Sequence, residues 1–554
     1  MSYPAGMRPS VEKVAQRRKE RLNNYEFPRL SPEDKAALLK NHHPDFREGD
    51  KVLLRCGANK GERVPKVMAA VMESPSRLNL EAVDLTKPDY RTDVLVIGGG
   101  GGGVTAALTA NEQGAKVLLA TKLRLGDSNT IMAEGGIAAA SLPEDSPAAH
   151  YIDTMVGGRF KNIPEVVEAL VNEAPSVLEW LTKLGVNFDR KADGSYFNHM
   201  PAGHSFKRSH SIKDLTGLEF MRVLGDELRN RKGIEVLEFC PAVELLLDSE
   251  GQCAGAVLED LDTGRNIVVE AGAVILATGG MGRLHPNGFP TSNHYGATAD
   301  GIVMASRAGA KLLYIEYIQY HPTGAAWPEQ ILGLLLSEAI RAEGAHVVNC
   351  DGEPFVNRLE TRDALSAAIL RECGPRGKGV ETPTGTMGVW LDTPMIDMKE
   401  GGKGKGTFLR RFAGIHHRYK KYGIDPIQEP LLIYPTQHYQ NGGVAIDVHG
   451  QSNIPYLYMA GEVAGGVHGH NRLGANSMSD VFVFGRRAGR HAAENYRKKP
   501  VTRLSLDHVK AHHEELAALG IVSGLRSPML LPDYRFEKAL TSTNYVSEIV
   551  EAEK

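Results

Sequence analysis

The sequence predicts an α/β fold organised around a dinucleotide-binding β-α-β unit, on three observations. A β-branched run, Asp93 to Ile97, leads into six uninterrupted glycines, Gly98 to Gly103. An Ala/Leu-rich stretch to Gln113 then reads as a helix, and Lys116 to Ala120 as a second strand. In the spacing Gly98-x-Gly100-x-x-Gly103 the glycines permit a tight turn and bring backbone N–H groups to a pyrophosphate at the helix N-terminus. The acid that would hold a ribose at the end of the second strand is absent, because Thr121 and Lys122 stand there. That weakens NAD as the ligand and leaves FAD open.

The flanking elements follow in order. Residues 1–90 are rich in charge and proline and read as an N-terminal extension, with helix-like stretches at Glu12 to Leu22 and at Ser31 to Lys40, the latter opening S-P-E-D as a capped helix does. The basic cluster Arg17 to Arg21 reads as a solvated helix face, with a docking role as its alternative. A strand-rich portion, Ile234 to Leu247, Ala254 to Leu261 and Asn266 to Val269, ends in AGAVILATGG, a buried strand stopping at Thr278-Gly279-Gly280. A mostly helical stretch is expected from Tyr320 to Ile433, with GGKGKG (Gly401 to Gly406) as a solvated loop. Short strands follow Tyr434, then a helix from Ser477 to Tyr496 and a polar tail.

Bulk properties exclude several classes. At roughly 150 residues per domain, 554 residues allow two to four domains and a large core. The 64 basic and 67 acidic residues leave a net charge of −3, against a nucleic-acid footprint or a polybasic membrane anchor. The five cysteines lie far apart, without a C-x-x-C pair for zinc or an iron–sulfur cluster, and no metal site is predicted. No apolar run approaches a membrane span and no signal peptide opens the chain, so a cytoplasmic protein is expected. Glycine is in excess, 60 residues against roughly 39 at average usage.

Eight ordered segments give that excess a location: VIGGGGGGVTAAL, AEGGIAAA, ATGGMGR, ASRAGAKLLYIEYIQYHPTG, LLSEAIRAEGA, TRDALS, PTQHYQNGG and HGHNRLGANS. Through them the chain resembles the flavoprotein subunits of succinate dehydrogenase and fumarate reductase, and also L-aspartate oxidase, over residues about 92 to 495. The resemblance implies a Rossmann-like FAD-binding domain (91–318 and 437–499) split by an α+β capping domain (319–436), with a short helical tail (500–554). It implies hydride exchange between FAD and a dicarboxylate held where the two domains meet.

Carried over onto this sequence, the family's cofactor positions are Gly98, Gly100, Gly103, Thr121, Lys122, Ser128, Asn129, Thr130, Ala133, Glu134, Gly135, Gly136, Ala242, Thr278, Gly279, Gly280, Asp300, Glu462, Arg472, Asn476, Ser477 and Met478. Its carboxylate-binding positions are His321, Ser337, His438 and Arg472, and bidentate arginine suits such a substrate. Arg362 matches the proton-donating arginine, with Glu338 and Arg341 as its relay. Their i, i+3 spacing places them on one helix face, although a lone pair of this kind is usually a surface ion pair worth little.

Two departures refine the expectation. The respiratory members carry FAD on the histidine of S-H-T, whereas Ser128-Asn129-Thr130 offers only an amide. FAD is therefore expected to bind non-covalently, which in the family favours fumarate reduction over succinate oxidation. L-aspartate oxidase is the nearest competitor, through GHSFKRSHSIKDLTG and YGIDPIQEP. That enzyme places a glutamate before its GHS segment to meet the substrate amine, and Met200-Pro201-Ala202-Gly203-His204-Ser205 carries no acid there. A non-catalytic FAD-binding assembly subunit is the third reading. With no cluster-binding cysteines in the chain, a separate iron–sulfur subunit is the expected electron-transfer partner, and the extension is a candidate docking surface.

Overall fold

The computed structural model describes residues 3–22, 25–398, 404–499, 501 and 503–532. The extension folds into helices α1 (Arg8–Leu22) and α2 (Pro32–His42). Ser31 caps α2, its Oγ accepting Asp34 N at 3.0 Å, with proline and two acids in the first turn as the S-P-E-D signal predicts. Helix α1 buries Val11, Val14, Arg18 and Arg21, one stripe at helical spacing. The solvated reading of Arg17 to Arg21 is thus corrected: Arg18 and Arg21 both reach Asp392, at 2.8 and 2.5 Å, and Asp392 is fully buried. Arg17 pairs with Glu353 at 2.6 Å. Arg17, Arg18 and Arg21 are thus paired with carboxylates of this chain, while Lys19 faces solvent as expected. Replacing Asp392 by Asn strands two buried guanidinium groups, and a loss of about 3 kcal/mol is expected, read as a lowered urea midpoint.

The dinucleotide-binding unit forms within three residues of its predicted bounds: β1 (Tyr90–Ile97), α3 (Gly101–Glu112) and β2 (Val117–Ala120). Helices α4 (Pro147–Gly157), α5 (Pro164–Lys183) and α6 (Thr216–Asn230) follow. Strands β3 (Ile234–Leu237), β4 (Ala242–Leu247), β5 (Cys253–Glu259) and β6 (Asn266–Leu276) then complete a sheet of order β3-β2-β1-β6-β5-β4, parallel from β3 to β6 and antiparallel beyond. Val94 to Ile97 are buried on both faces, as a parallel strand covered by helices requires.

After helix α7 (Asp300–Arg307) the chain enters a second, antiparallel sheet. Its strands β7 (Ile318–Ala325), β8 (His346–Val348), β9 (Met387–Asp392) and β10 (Leu431–Gln440) run in the order β7-β10-β9-β8. Around it lie α8 (Glu338–Ala342), α9 (Arg362–Cys373) and two short helices, Thr407–Arg411 and Ala413–Lys420. The expectation of a mostly helical stretch from Tyr320 to Ile433 is corrected by this sheet. Pro322 and Pro435 lie inside its two longest strands and argue locally against strand structure. They fit because the β7–β10 register shifts between His321 and Gly324, a bulge that spares a proline the missing N–H. Of GGKGKG, residues 401–403 lie outside the described residues. Gly404 is buried and Gly406 donates to Asp397 at 3.0 Å, so that end is a held turn and not a solvated loop.

Strand β11 (Leu457–Met459) extends the first sheet beside β6, and helix α10 (Asn476–Asn495) packs against α3. One apolar core runs from Tyr3 and Val14 through Val94–Ile97 to Trp390 and Phe482, joining extension, first sheet and second sheet. A smaller cluster of Val243, Val257, Leu506 and Val509 seats helix α11 (Asp507–Ala518) on the outer strands. Among the described residues no helix is long and apolar enough to cross a membrane.

Candidate active site

The glycine run makes a cradle that side chains cannot share. Gly98 has φ +125°, and a Cβ there would stand 2.3 Å from Ala277 O, while one on Gly103 would stand 1.9 Å from Gly98 O. Helix α3 has Gly100 as its N-cap, with no side chain of its own to cap the helix; Gly101 N donates to Thr130 Oγ1 at 3.1 Å, and the positive end of the helix dipole faces the space where an anion would sit. A cavity of about 300 Å³ opens on this end. Gly98, Gly100, Thr121, Lys122, Ser128, Asn129, Thr130, Ala133, Glu134, Ala242, Thr278, Gly279, Asp300, Glu462, Ser477 and Met478 all line it. The buried Thr278 hydroxyl has no hydrogen-bond partner among the described residues. Tight glycine turn, helix N-terminus and unpaired hydroxyl together fit a dinucleotide. Gly98→Ala is expected to abolish FAD retention, measured as flavin absorbance per purified chain.

The end of β2 differs from the acid-bearing strand of an NAD site. Lys122 donates to Asp300 at 2.6 Å and to Thr298 at 2.8 Å, so its charge is paired across the cavity mouth. Asn129 is engaged on both sides: its amide donates to Asn293 at 2.7 Å and to Glu462 at 3.2 Å, and its carbonyl accepts His294 N at 2.6 Å. Burial pushes the Glu462 carboxyl up to about 7, the bonds from Gln440 and Asn129 opposing it. Burial likewise lifts Glu134 to about 7 against the pull of Arg418, 3.2 Å away.

Several predicted cofactor positions stand outside the lining. Gly103, Gly135, Gly136 and Gly280 are not among the lining residues; a Cβ on Gly136 would meet His210 O at 2.3 Å, and one on Gly280 would meet Glu462 Oε1 at 2.5 Å, whereas one on Gly135 would meet nothing within 4 Å. Asn476 is turned away, its amide bonding Thr154 at 2.9 Å and His150 at 2.8 Å.

A charged string adjoins the cavity. Arg362 donates through Nε to Glu338 at 3.0 Å, and Arg341 reaches the same oxygen at 3.3 Å. The other Glu338 oxygen accepts Ala202 N at 2.7 Å. Arg472 and Arg362 both donate to Gln319 Oε1, at 2.7 and 2.9 Å. Arg472 also bonds Ser477 at 3.0 Å and lies 4.4 Å over the Tyr439 ring, both residues being part of the cavity wall. Burial would raise the Glu338 carboxyl, but Arg362 and Arg341 carry it down to about 2. Burial, aided by the Arg362 charge, lowers Arg472 to about 9. Burial also lowers Arg341 to about 10, with Glu338 opposing.

His321 and His438 face each other with ring centroids 5.1 Å apart. Both are held well below the ordinary histidine range, by burial first and the Arg362 charge second, so they act as neutral hydrogen-bonding groups. Ser337 stands apart from the string and caps the short helix α8, accepting Ala339 N at 3.3 Å. Gln319, which joins the two arginines, is absent from the sequence reading. Its signal was available, since it precedes His321 by two residues and shares its strand face. His204 was likewise unassigned; it meets Gly474 O at 2.9 Å and closes the segment Met200–Ser205 over the string.

This cradle and its charged neighbour define an FAD-dependent oxidoreductase, and comparison with known proteins agrees. A family described as FAD binding domain matches residues 93–478. A fumarate reductase (CoM/CoB) polypeptide of Methanothermobacter marburgensis is 38% identical over 416 residues, 73% of each chain. An L-aspartate oxidase of Streptomyces coelicolor is 36% identical over 71% of this chain and 67% of its own. The quinol fumarate reductase flavoprotein of E. coli superposes with a TM-score of 0.69 at 30% identity, covering 78% of this chain and 74% of that one. The chain therefore belongs to the FAD-binding flavoprotein family whose members include fumarate reductase flavoproteins and L-aspartate oxidases.

Proposed function

We propose that this chain is a fumarate reductase-type flavoprotein subunit that reduces an unsaturated C4 dicarboxylate. The observation that carries the reading is the buried string Arg472–Gln319–Arg362–Glu338–Arg341 at the edge of the cavity. Bound FAD supplies a hydride-exchanging centre. Arg472 and the neutral His438 and His321 suit the two carboxylates of the substrate, a guanidinium matching a carboxylate in two bonds. Arg362 delivers a proton to the carbon beside the one that receives hydride. Arginine is a poor acid, with a pKa above about 12, but a carbanion-like carbon is a far stronger base. Glu338, in contact with both arginines, returns the proton from Arg341.

Selectivity for fumarate over aspartate rests on Met200–Ser205. The segment meets the site through Ala202 N and His204 but brings no carboxylate for an ammonium group. Glu338 is already shared by two arginines and an amide. An uncharged C2 centre fits and an amine does not.

Purified chain with reduced viologen and fumarate, assayed without oxygen, is expected to be active. Peroxide formation from L-aspartate in air, without fumarate reduction, would assign the chain to the oxidase branch instead. FAD is held non-covalently because Asn129 offers only an amide, itself fully engaged. Acid precipitation is expected to release all flavin to the supernatant. Electrons arrive from a separate iron–sulfur subunit, since the five cysteines are dispersed and unpaired.

A further inference from the structure

We propose that the N-terminal extension belongs to the apparatus that aims the proton-delivering arginines, with Lys35 as a positioning residue. The proposal rests on the role given to Arg362 above. Helix α9 starts at Arg362, and the turn before it, residues 357–361, is held from behind by residues 26–35. Lys35 Nζ lies 2.6 Å from Glu360 Oε1, and Glu360 is only 1% exposed. Leu30 N donates to the other Glu360 oxygen at 3.3 Å, and Thr361 N donates to Oε1 at 3.3 Å. Asn357 donates to Phe27 O at 2.6 Å.

The second arginine hangs from the same turn. Glu26 accepts Arg358 Nε at 2.8 Å. Arg358 in turn donates to the backbone carbonyls of Arg341 and Ala342, and Arg341 returns a bond to Arg358 O. Helix α2, which carries Lys35, packs along α9. Both guanidinium groups of the relay thus depend on a turn whose outward polar groups are satisfied by the extension. Catalytic groups lose efficiency when displaced by fractions of an ångström. The carboxylate-binding groups have further anchors that the turn does not touch, Arg472 on Asn441 and Ser477 besides the Gln319 oxygen it shares with Arg362, and His438 on Ser292.

Loss of Lys35 leaves Glu360 a buried carboxylate without its cation, and the turn must move. The test uses full-length, FAD-loaded chain carrying Lys35→Met, Lys35→Arg or Glu26→Gln. In Lys35→Met the kcat for fumarate is expected to fall about tenfold with KM within twofold, a pattern of lost transition-state interaction. Lys35→Arg is expected to restore at least half of kcat, and Glu26→Gln, at the partly exposed rim, to lower it severalfold. Hydrogen exchange over residues 357–373 should rise in Lys35→Met and return in Lys35→Arg. Lower thermal stability with unchanged kcat, or kcat and KM changing together, would overturn the proposal. If the wild-type chain reduces no fumarate, the function proposed above fails, while unchanged exchange at residues 357–373 in Lys35→Met would sink the positioning role on its own.

Discussion

Replacing Arg362 by alanine is expected to lower the rate of fumarate reduction about 10³-fold while leaving FAD bound. The rate falls because Arg362 alone in the string contacts both Glu338, on the relay side, and Gln319, on the substrate side. FAD stays because the glycine cradle, Thr278 and Asn129 are on other elements and share no hydrogen bond with Arg362. The folded chain persists because Glu338 keeps Arg341 and Ala202 N as partners. A second signature accompanies the rate. Arg362 is a cause of the low pKa of Arg472, His321 and His438, so in its absence all three shift upward and the residual activity acquires a different pH profile. Lysine at this position keeps the charge but not the planar two-sided contact, and only a small fraction of activity is expected to return. Anaerobic turnover and flavin absorbance on the same preparation decide the matter: activity within tenfold of wild type would place the proton donor elsewhere.

The dinucleotide unit was legible because its determinants are local: a β-branched strand, glycines at fixed spacing, a helix and a second strand. The outcome at Thr121-Lys122 was legible only as an absence, and the fold explains it by drawing Lys122 across the cavity to Asp300, 178 residues away. Glu338 and Arg341 were readable as one helix face, yet α8 has only five residues. What turns a marginal surface motif into a buried pair is Arg362, brought in from the start of α9. The antiparallel sheet around β7 and β10 was hidden by prolines at its bulge. The burial of Arg18 and Arg21 was hidden because nothing in a basic helix announces an aspartate 371 residues further on. Each miss is a case in which tertiary pairing overrode a local signal.

Glu338→Gln is expected to damage both stability and catalysis, in a way that pH can separate from simple loss of packing. Folding lowers the Glu338 pKa from 4.5 to about 2 because Arg362 and Arg341 outweigh the burial that would raise it. A carboxyl whose pKa falls on folding stabilises the protein above its unfolded pKa, and that contribution disappears as pH drops through 4.5 toward 2. The shift corresponds to about 3 kcal/mol at neutral pH. Glutamine preserves shape but leaves Arg362 and Arg341 as buried cations without their shared anion, a loss of about 3–5 kcal/mol. The wild-type and variant denaturation curves should therefore stand well apart at pH 7 and converge between pH 4.5 and 2. In turnover, the relay has lost the one group that can exchange a proton with both arginines, and kcat is expected to fall about 10²–10⁴-fold with KM little changed. Aspartate at this position retains the charge with shorter reach and should recover stability more fully than rate. A stability gap that persists unchanged at pH 2.5 would show that Glu338 does not carry the buried charge, and a kcat within twofold of wild type would show that it does not carry the proton.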